Sequence, residues 1–202
     1  MKKFLLLLFF CIFFSSVSFA QVLVRDLSEE IKKGSIVLTN AKGTGASTGA
    51  SIDGVIANNT NSTIYVDIFL RKAIYLTNSG KGQNMLVSQV IGRDGGYLSD
   101  GKNSFIELKP KSRNNIKFIA FCADFEKDNP EHNETFTFSP LPKKYDRIME
   151  KLVNYARRYP NSEFITAAQI AIWLSQGEKI NEIKKKINVT PYDERLARQF
   201  LE

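Results

Sequence analysis

Two side chains in this sequence, Cys122 and Gln169, could carry chemistry because each combines a reactive or polar group with a predicted buried setting. Cys122 lies at the end of a nearly continuous apolar run, residues 119–123, just before the polar segment 124–132. Gln169 lies in the middle of a predicted helix, residues 163–175, whose apolar side chains point in every direction. Such a helix is buried. A buried carboxamide needs hydrogen-bond partners, so we expect Gln169 to contact polar groups inside the protein.

The first twenty residues have the pattern of a secretory signal peptide. Lys2 and Lys3 precede an apolar run, residues 4–14, and small residues Ser18 and Ala20 precede the expected cleavage site. The apolar run is short for a membrane span and no stop-transfer cluster follows it. We therefore predict cleavage after Ala20, no transmembrane segment afterwards, and an exported protein that is secreted, periplasmic or on the cell surface.

Cleavage changes the cysteine count and the charge. Removing 20 of the 202 residues leaves 182, and losing the two lysines lowers the formal charge from +7 to +5. Cys122 then becomes the only thiol, so an internal disulfide is excluded. A lone Cys in an exported protein is a buried small hydrophobe, an intermolecular disulfide partner or a reactive group. For Cys122 an inert buried thiol stays open, as does a Gln169 that is only hydrogen-bonded to nearby backbone.

The chain divides into two parts by pattern. Residues 21–142 contain short segments rich in β-branched and aromatic residues, with turn signals about every ten residues, which favours an antiparallel β-sandwich or barrel-like body. Residues 63–70 form the best predicted strand, and the Gly-rich segment 43–51 is predicted to be a flexible loop. Residues 143–202 have helical periodicity, with helices at 145–159, 163–175, 179–187 and from Pro191 onward. We predict an α+β protein with this C-terminal α-helical subdomain packed on the β-rich domain.

Other candidates for chemistry have weaker patterns. Asp124, Glu126 and Asp128 alternate as in an EF-hand loop, but the glycine and the final glutamate of that loop are missing, so only a looser Ca²⁺ site remains. One His and two Cys are too few for a Cys/His zinc site. We expect no metal and no cofactor. The short basic run 184–186 is typical of a solvated helix face, and nucleic acid is not an expected partner of an exported protein.

The two opening residues lie in motifs that resemble those of the bacterial thioester domains, which are surface adhesin modules. The segment 168–173, with Gln169, Ala171, Ile172 and Trp173, is similar to their TQxA helix, although Ala168 stands where the family usually has Thr. The segment 121–124, with Cys122 and Asp124, is similar to their Cys motif, and the spacing between the two motifs is shorter than expected. The resemblance covers about residues 115–175 and implies a thioester between Cys122 and Gln169.

The sequence therefore favours an exported, non-catalytic binding module whose partner is a surface protein or a glycan. An internal Cys122–Gln169 thioester would let such a module attach covalently to that partner. Two alternatives stay open. One is an exported hydrolase-type enzyme that uses the 124–132 loop with His132, and the other is a structural envelope protein without a ligand.

Overall fold

The computed structural model describes residues 23–92, 97–99, 104–160 and 163–202. The predicted signal peptide, residues 1–20, lies outside the described residues. The strands are β1 (Val24–Arg25), β2 (Ile36–Gly43), β3 (Thr48–Asn58), β4 (Ile64–Asp67), β5 (Phe69–Asn78), β6 (Met85–Gly92), β7 (Tyr97–Ser99), β8 (Ser104–Leu108), β9 (Arg113–Cys122) and β10 (Phe136–Ser139). The helices are α1 (Leu27–Lys32), α2 (Asp146–Arg158), α3 (Ile165–Ser175), α4 (Ile180–Lys186) and α5 (Pro191–Leu201).

The larger sheet forms a nearly closed barrel. Its six strands are antiparallel in the order β10-β5-β6-β9-β3-β2. The two ends of this sheet approach each other, since Lys42 pairs with Thr135 and the Gly43 N–H donates to the Glu134 carbonyl at 2.8 Å. A second sheet has the order β1-β4-β8-β7, in which only the β1–β4 pair is parallel. The predicted α+β class with a barrel-like β body is confirmed.

Two local expectations differ from the structure. The predicted strand 63–70 is two strands in different sheets, β4 and β5, because the chain turns at Ile68, where the Asp67 carboxylate accepts from the Phe69 N–H at 2.9 Å. The Gly-rich segment 43–51 is mostly paired in β2 and β3, and its glycines serve the tight hairpin between them. Gly45 and Gly49 have φ values of 86° and 79°, which favour glycine.

The four C-terminal helices lie where helical periodicity predicts them, within one or two residues at their ends. α2 lies against β5 and β6, and α3 lies between α2, α4, α5 and the barrel strands β3 and β9. Seven consecutive residues of α3, from Ala167 to Trp173, are buried, as expected for a helix that is apolar on every side. Within the described ranges, no helix combines the length and apolarity needed to span a membrane.

Candidate functional site

The structure brings Cys122 and Gln169 into direct contact, although 47 positions separate them in the chain. The Cys122 backbone N–H donates to Gln169 Oε1 at 2.8 Å, and Gln169 Nε2 donates to the Cys122 carbonyl at 2.9 Å. Both residues are buried, with 0% and 1% of their surfaces exposed. The buried carboxamide is therefore held against the residue that bears the thiol.

This contact exists because Cys122, the last residue of β9, has no pairing residue in β3. Thr48, the first residue of β3, pairs with Phe121. On the opposite side, the Ala123 N–H donates to the Asn84 carbonyl at 2.9 Å, next to β6. Since backbone groups alternate between the two neighbours of an antiparallel strand, those of Cys122 face the β3 side. The Gln169 carboxamide occupies that place and continues the hydrogen-bond ladder.

The Cys122 thiol is enclosed and neutral. Its S–H donates to the Ser47 carbonyl at 2.9 Å, and Asn129 Oδ1 lies 3.9 Å from the sulfur. Burial raises the pKa of the Cys122 thiol to about 12, and the negative charge of Asp124 adds to the rise while Lys186 opposes it. Cys122 is consequently a protonated thiol at neutral pH. A protonated thiol is a weak nucleophile, because the thiolate is the reactive form.

A second glutamine, Gln176 at the C-terminal cap of α3, fixes the residue after Cys122. The Ala123 carbonyl accepts from Gln176 Nε2 at 3.0 Å and from the Tyr145 hydroxyl at 2.8 Å. Gln176 follows Gln169 by seven positions, which places the two side chains on one face of α3. The end of β9 is therefore attached to the helical layer by two carboxamides and a phenol.

The other residues of the two motifs have structural roles in the described contacts. Ala171 and Ile172 are fully buried, and Trp173 packs edge-on against Phe125 with ring centroids 5.1 Å apart. The Asp124 carboxylate accepts from the Asn84 side chain at 2.8 Å and from its backbone N–H at 3.1 Å. Asp124 therefore fixes the turn that follows β9.

The structure does not assemble the alternative sites of the 124–132 segment. In the described part of the chain, no three His, Cys, Asp or Glu residues are grouped so that they could hold a metal ion, so Asp124, Glu126 and Asp128 do not form a Ca²⁺ site of that kind. Glu126 is exposed, and His132 is exposed with its ring nitrogen 3.4 Å from the Thr44 carbonyl. Asp124, Glu126 and His132 do not line the pocket that this segment borders.

That pocket has a volume of about 220 Å³ and lies beside the thiol. Ser47 and Asn129, which both contact the sulfur, are among its lining residues, together with Gln83 and Trp173. Of these four, the sequence singled out only Trp173. Ser47, Gln83 and Asn129 lie in three separate turns without any motif, so no signal in the sequence connects them.

The arrangement combines a carboxamide and a thiol-bearing residue in one buried site. A carboxamide is held against the backbone of a buried cysteine, and the Cys122 N–H polarises the Gln169 carbonyl by donating to its oxygen, as in an oxyanion hole. Comparison of the chain with protein-family models, with curated proteins and with solved structures gives no match. The interpretation of the site therefore depends on this geometry.

Proposed function

We propose that this protein is an exported, non-catalytic binding module that attaches covalently to a surface protein or glycan through an internal thioester between Cys122 and Gln169. The observation that supports the proposal is the pair of hydrogen bonds, 2.8 and 2.9 Å long, between the Gln169 carboxamide and the Cys122 backbone. They hold the electrophilic carbon beside the residue that carries the nucleophile, which lowers the entropic cost of the reaction.

The bond-forming step balances without any added reagent. The Cys122 sulfur attacks the Gln169 Cδ atom, the Cδ–Nε2 bond breaks, and the nitrogen leaves as ammonia with the thiol proton. Negative charge develops on Oε1 during the step, where the Cys122 N–H already donates. Because the thiol is neutral in the folded protein, the proton passes to the departing nitrogen and not to bulk solvent.

Burial explains how such a bond would persist until a partner arrives. Both residues are shielded from water, and α3 around Gln169 consists of Ala, Ile and Trp side chains that are themselves buried. A thioester excluded from water is protected from hydrolysis. A nucleophilic amine or hydroxyl of a partner that reaches the carbonyl carbon would then replace the sulfur and become linked to Gln169.

Intact mass of the denatured, purified protein tests the proposal. We expect a mass one ammonia lower than that of the sequence after removal of residues 1–20. Incubation with methylamine should then add one methylamine and release one thiol that iodoacetamide can alkylate. An unmodified mass together with an alkylatable Cys122 before methylamine treatment would refute the thioester.

Matched variants locate the mass deficit. Cys122→Ala and Gln169→Leu should each abolish it, because each removes one of the two condensing groups. Gln176→Leu should retain it, since Gln176 contacts Ala123 on the same helix face but does not contact the thiol-bearing residue. Circular dichroism of each variant checks that loss of the deficit does not reflect unfolding. A deficit that survives in Cys122→Ala would belong to another modification and would contradict the assignment.

A further inference from the structure

The tip of the β2–β3 hairpin, residues 45–47, lies against the Cys122 sulfur, and we call these residues the hairpin cover. The Ser47 carbonyl accepts from the thiol at 2.9 Å. Ser47 is half-buried, whereas its neighbours Gly45 and Ala46 are exposed. Ser47 also lines the 220 Å³ pocket, which the fully buried Cys122 does not line. Ser47 therefore lies between the sulfur and that pocket.

The hairpin cover is anchored at both ends and weakly held between them. Thr44, just before it, donates twice to the Ser51 carbonyl, from its backbone N–H at 2.9 Å and from its hydroxyl at 3.2 Å. Thr48, just after it, pairs with β9, and its hydroxyl donates to the Ala120 carbonyl at 3.3 Å. Within the described part of the chain, the bond from the Cys122 thiol is the one hydrogen bond that ties the hairpin cover to a residue outside the hairpin.

The other groups around the site are held more firmly. Gln169 makes two hydrogen bonds to the Cys122 backbone. Gln83 donates twice, at 3.0 Å each time, to backbone carbonyls of the segment 127–129, which also contacts the sulfur. Segments with few tertiary contacts open locally at the lowest free-energy cost. The hairpin cover is therefore the part of this site that opens most easily.

Gly45 begins the hairpin cover in a backbone conformation that favours glycine. Its φ is 86°, in the left-handed region that glycine adopts without strain. A Cβ built at this position would meet only the Cβ of His132, 3.9 Å away, which is an ordinary contact distance. An alanine there would fit the available space and would strain the closed hairpin cover through its backbone alone.

We propose that the hairpin cover opens locally to admit the nucleophile of a partner, and that the Cys122 thiol proton closes it again after the reaction. This role rests on the proposed thioester, whose sulfur has no proton and so cannot donate to the Ser47 carbonyl. The amine or hydroxyl of the partner attacks the Gln169 Cδ atom, the carbon–sulfur bond breaks, and the proton of the nucleophile passes to the sulfur. The regenerated thiol then donates to Ser47 and holds the hairpin cover closed.

Alkylation of the free thiol by iodoacetamide measures the opening without any thioester. Protein with the ammonia deficit is first treated with ammonia, which regenerates both native side chains, and protein without a deficit is used directly. We expect the alkylation rate to be nearly independent of urea well below the unfolding midpoint, because local opening exposes little surface. Gly45→Ala should raise this rate about five- to thirtyfold, since left-handed alanine destabilises the closed state.

Gly34→Ala is the matched control for strain at a left-handed residue. Gly34 has a φ of 75°, an added Cβ would meet nothing within 4 Å, and it lies at the opposite end of β2 from the hairpin cover. This variant should lower the urea midpoint as much as Gly45→Ala does and leave the alkylation rate at low urea unchanged. Gln83→Met, which loosens the segment 127–129, should leave that rate unchanged as well.

The thiol proton has its own test in the fluorescence of Trp173, the only Trp of the chain and a lining residue of the pocket beside Ser47. Acrylamide should quench Trp173 more strongly in the thioester form than after opening with ammonia, because only the thiol donates to the Ser47 carbonyl. Methylamine should also open the thioester faster in Gly45→Ala than in the wild-type protein. Equal quenching would overturn the role of the proton, and equal methylamine rates would overturn the role of the hairpin cover in attachment.

The alkylation outcomes separate this proposal from the thioester. Equal alkylation rates in Gly45→Ala and wild type, an equal rise in Gly34→Ala, or a larger rise in Gln83→Met would each overturn local opening of the hairpin cover. A rise confined to Gly45→Ala in protein that never shows the ammonia deficit would support the opening and refute the thioester.

Discussion

The Cys122 thiol is the residue whose environment most alters its chemistry. It is fully buried, and its sulfur donates to the Ser47 carbonyl. A hydrogen bond from the S–H stabilises the protonated form, and burial penalises the thiolate. A thiol in this setting is slow toward reagents from solvent, while the Gln169 carboxamide is held against the backbone of the same residue.

The raised pKa gives a prediction for a variant that keeps the thiol free. In Gln169→Leu, native Cys122 should react with iodoacetamide about a thousandfold more slowly at pH 8 than the unfolded chain does, because the thiolate fraction falls tenfold for each unit of pKa. The native rate should keep rising with pH toward about 12, whereas the unfolded rate levels off near the ordinary value of 9.0. Timed alkylation followed by mass spectrometry gives both rates.

The raised pKa of Cys122 also makes the free energy of unfolding depend on pH. The folded thiol holds its proton up to about pH 12 and the unfolded thiol only up to 9.0. The contribution of Cys122 is therefore complete below pH 9 and is lost as the pH rises toward 12. Cys122→Ala in the Gln169→Leu background should lack this alkaline loss of stability.

The alkylation experiment can contradict the enclosed thiol. It would do so if the rate at which native Cys122 reacts with iodoacetamide levels off near pH 9.

At the scale of elements, the site is the place where helix α3 meets the end of strand β9. The strand needs a partner beyond Phe121 because β3 starts at Thr48, and α3 supplies side-chain amides in place of backbone. Gln169 satisfies both backbone groups of Cys122, while Gln176 shares the Ala123 carbonyl with Tyr145. The two glutamines therefore differ in how completely the strand depends on them.

This difference predicts unequal losses of stability in a background without the thioester, Cys122→Ala. Gln169→Leu leaves two buried backbone groups unpaired and should lower the free energy of unfolding by about 3 kcal/mol or more. Gln176→Leu leaves the Ala123 carbonyl with the Tyr145 hydroxyl and should cost about 1 kcal/mol. Urea unfolding of the three proteins measures both values. Equal losses would show that the two carboxamides support the strand end to the same degree.

Much of this element-scale arrangement could be predicted from the sequence. The continuous apolar surface of 163–175 indicated a buried helix, and the polar Gln169 within it indicated an internal hydrogen-bonded carboxamide. The contact of Gln169 with the strand backbone could not be predicted, because it depends on where β3 begins. The pocket could not be predicted from the sequence either. Its residues Ser47, Gln83 and Asn129 come from three turns that are brought together only by the nearly closed sheet.

At the scale of the whole molecule, the site joins the barrel to the helical layer. Cys122 belongs to the barrel and Gln169 to the helices, and non-covalent contacts such as the hydrogen bond from Arg157 of α2 to the Phe69 carbonyl of β5, at 2.7 Å, hold the two parts together elsewhere. The fold class followed from periodicity, which changes from strand-like to helical after residue 142. The near closure of the sheet did not, because it arises from pairing between Lys42 and Thr135, distant in sequence.

A thioester at this position would cross-link the two parts, which gives a prediction for global stability. The link would close a loop across the 47 positions that separate the two residues. The chain-entropy relation for cross-links then gives a stabilisation of about 4 kcal/mol. Opening the bond with ammonia regenerates the Gln169 carboxamide and the Cys122 thiol, so it removes the link and leaves the native side chains. The opened protein, unfolded by urea in the same ammonium buffer, should lose about that amount relative to the thioester form.

The control for this measurement is Cys122→Ala, whose urea midpoint should not change when ammonium is added, because that variant has no link to open. Intact mass taken on the same samples shows whether the bond has been opened in the wild-type protein. If the mass rises by one ammonia while the midpoint stays in place, the cross-link does not constrain the unfolded chain. The barrel and the helical layer would then be held together by their packing alone, and the thioester would serve only the attachment of a partner.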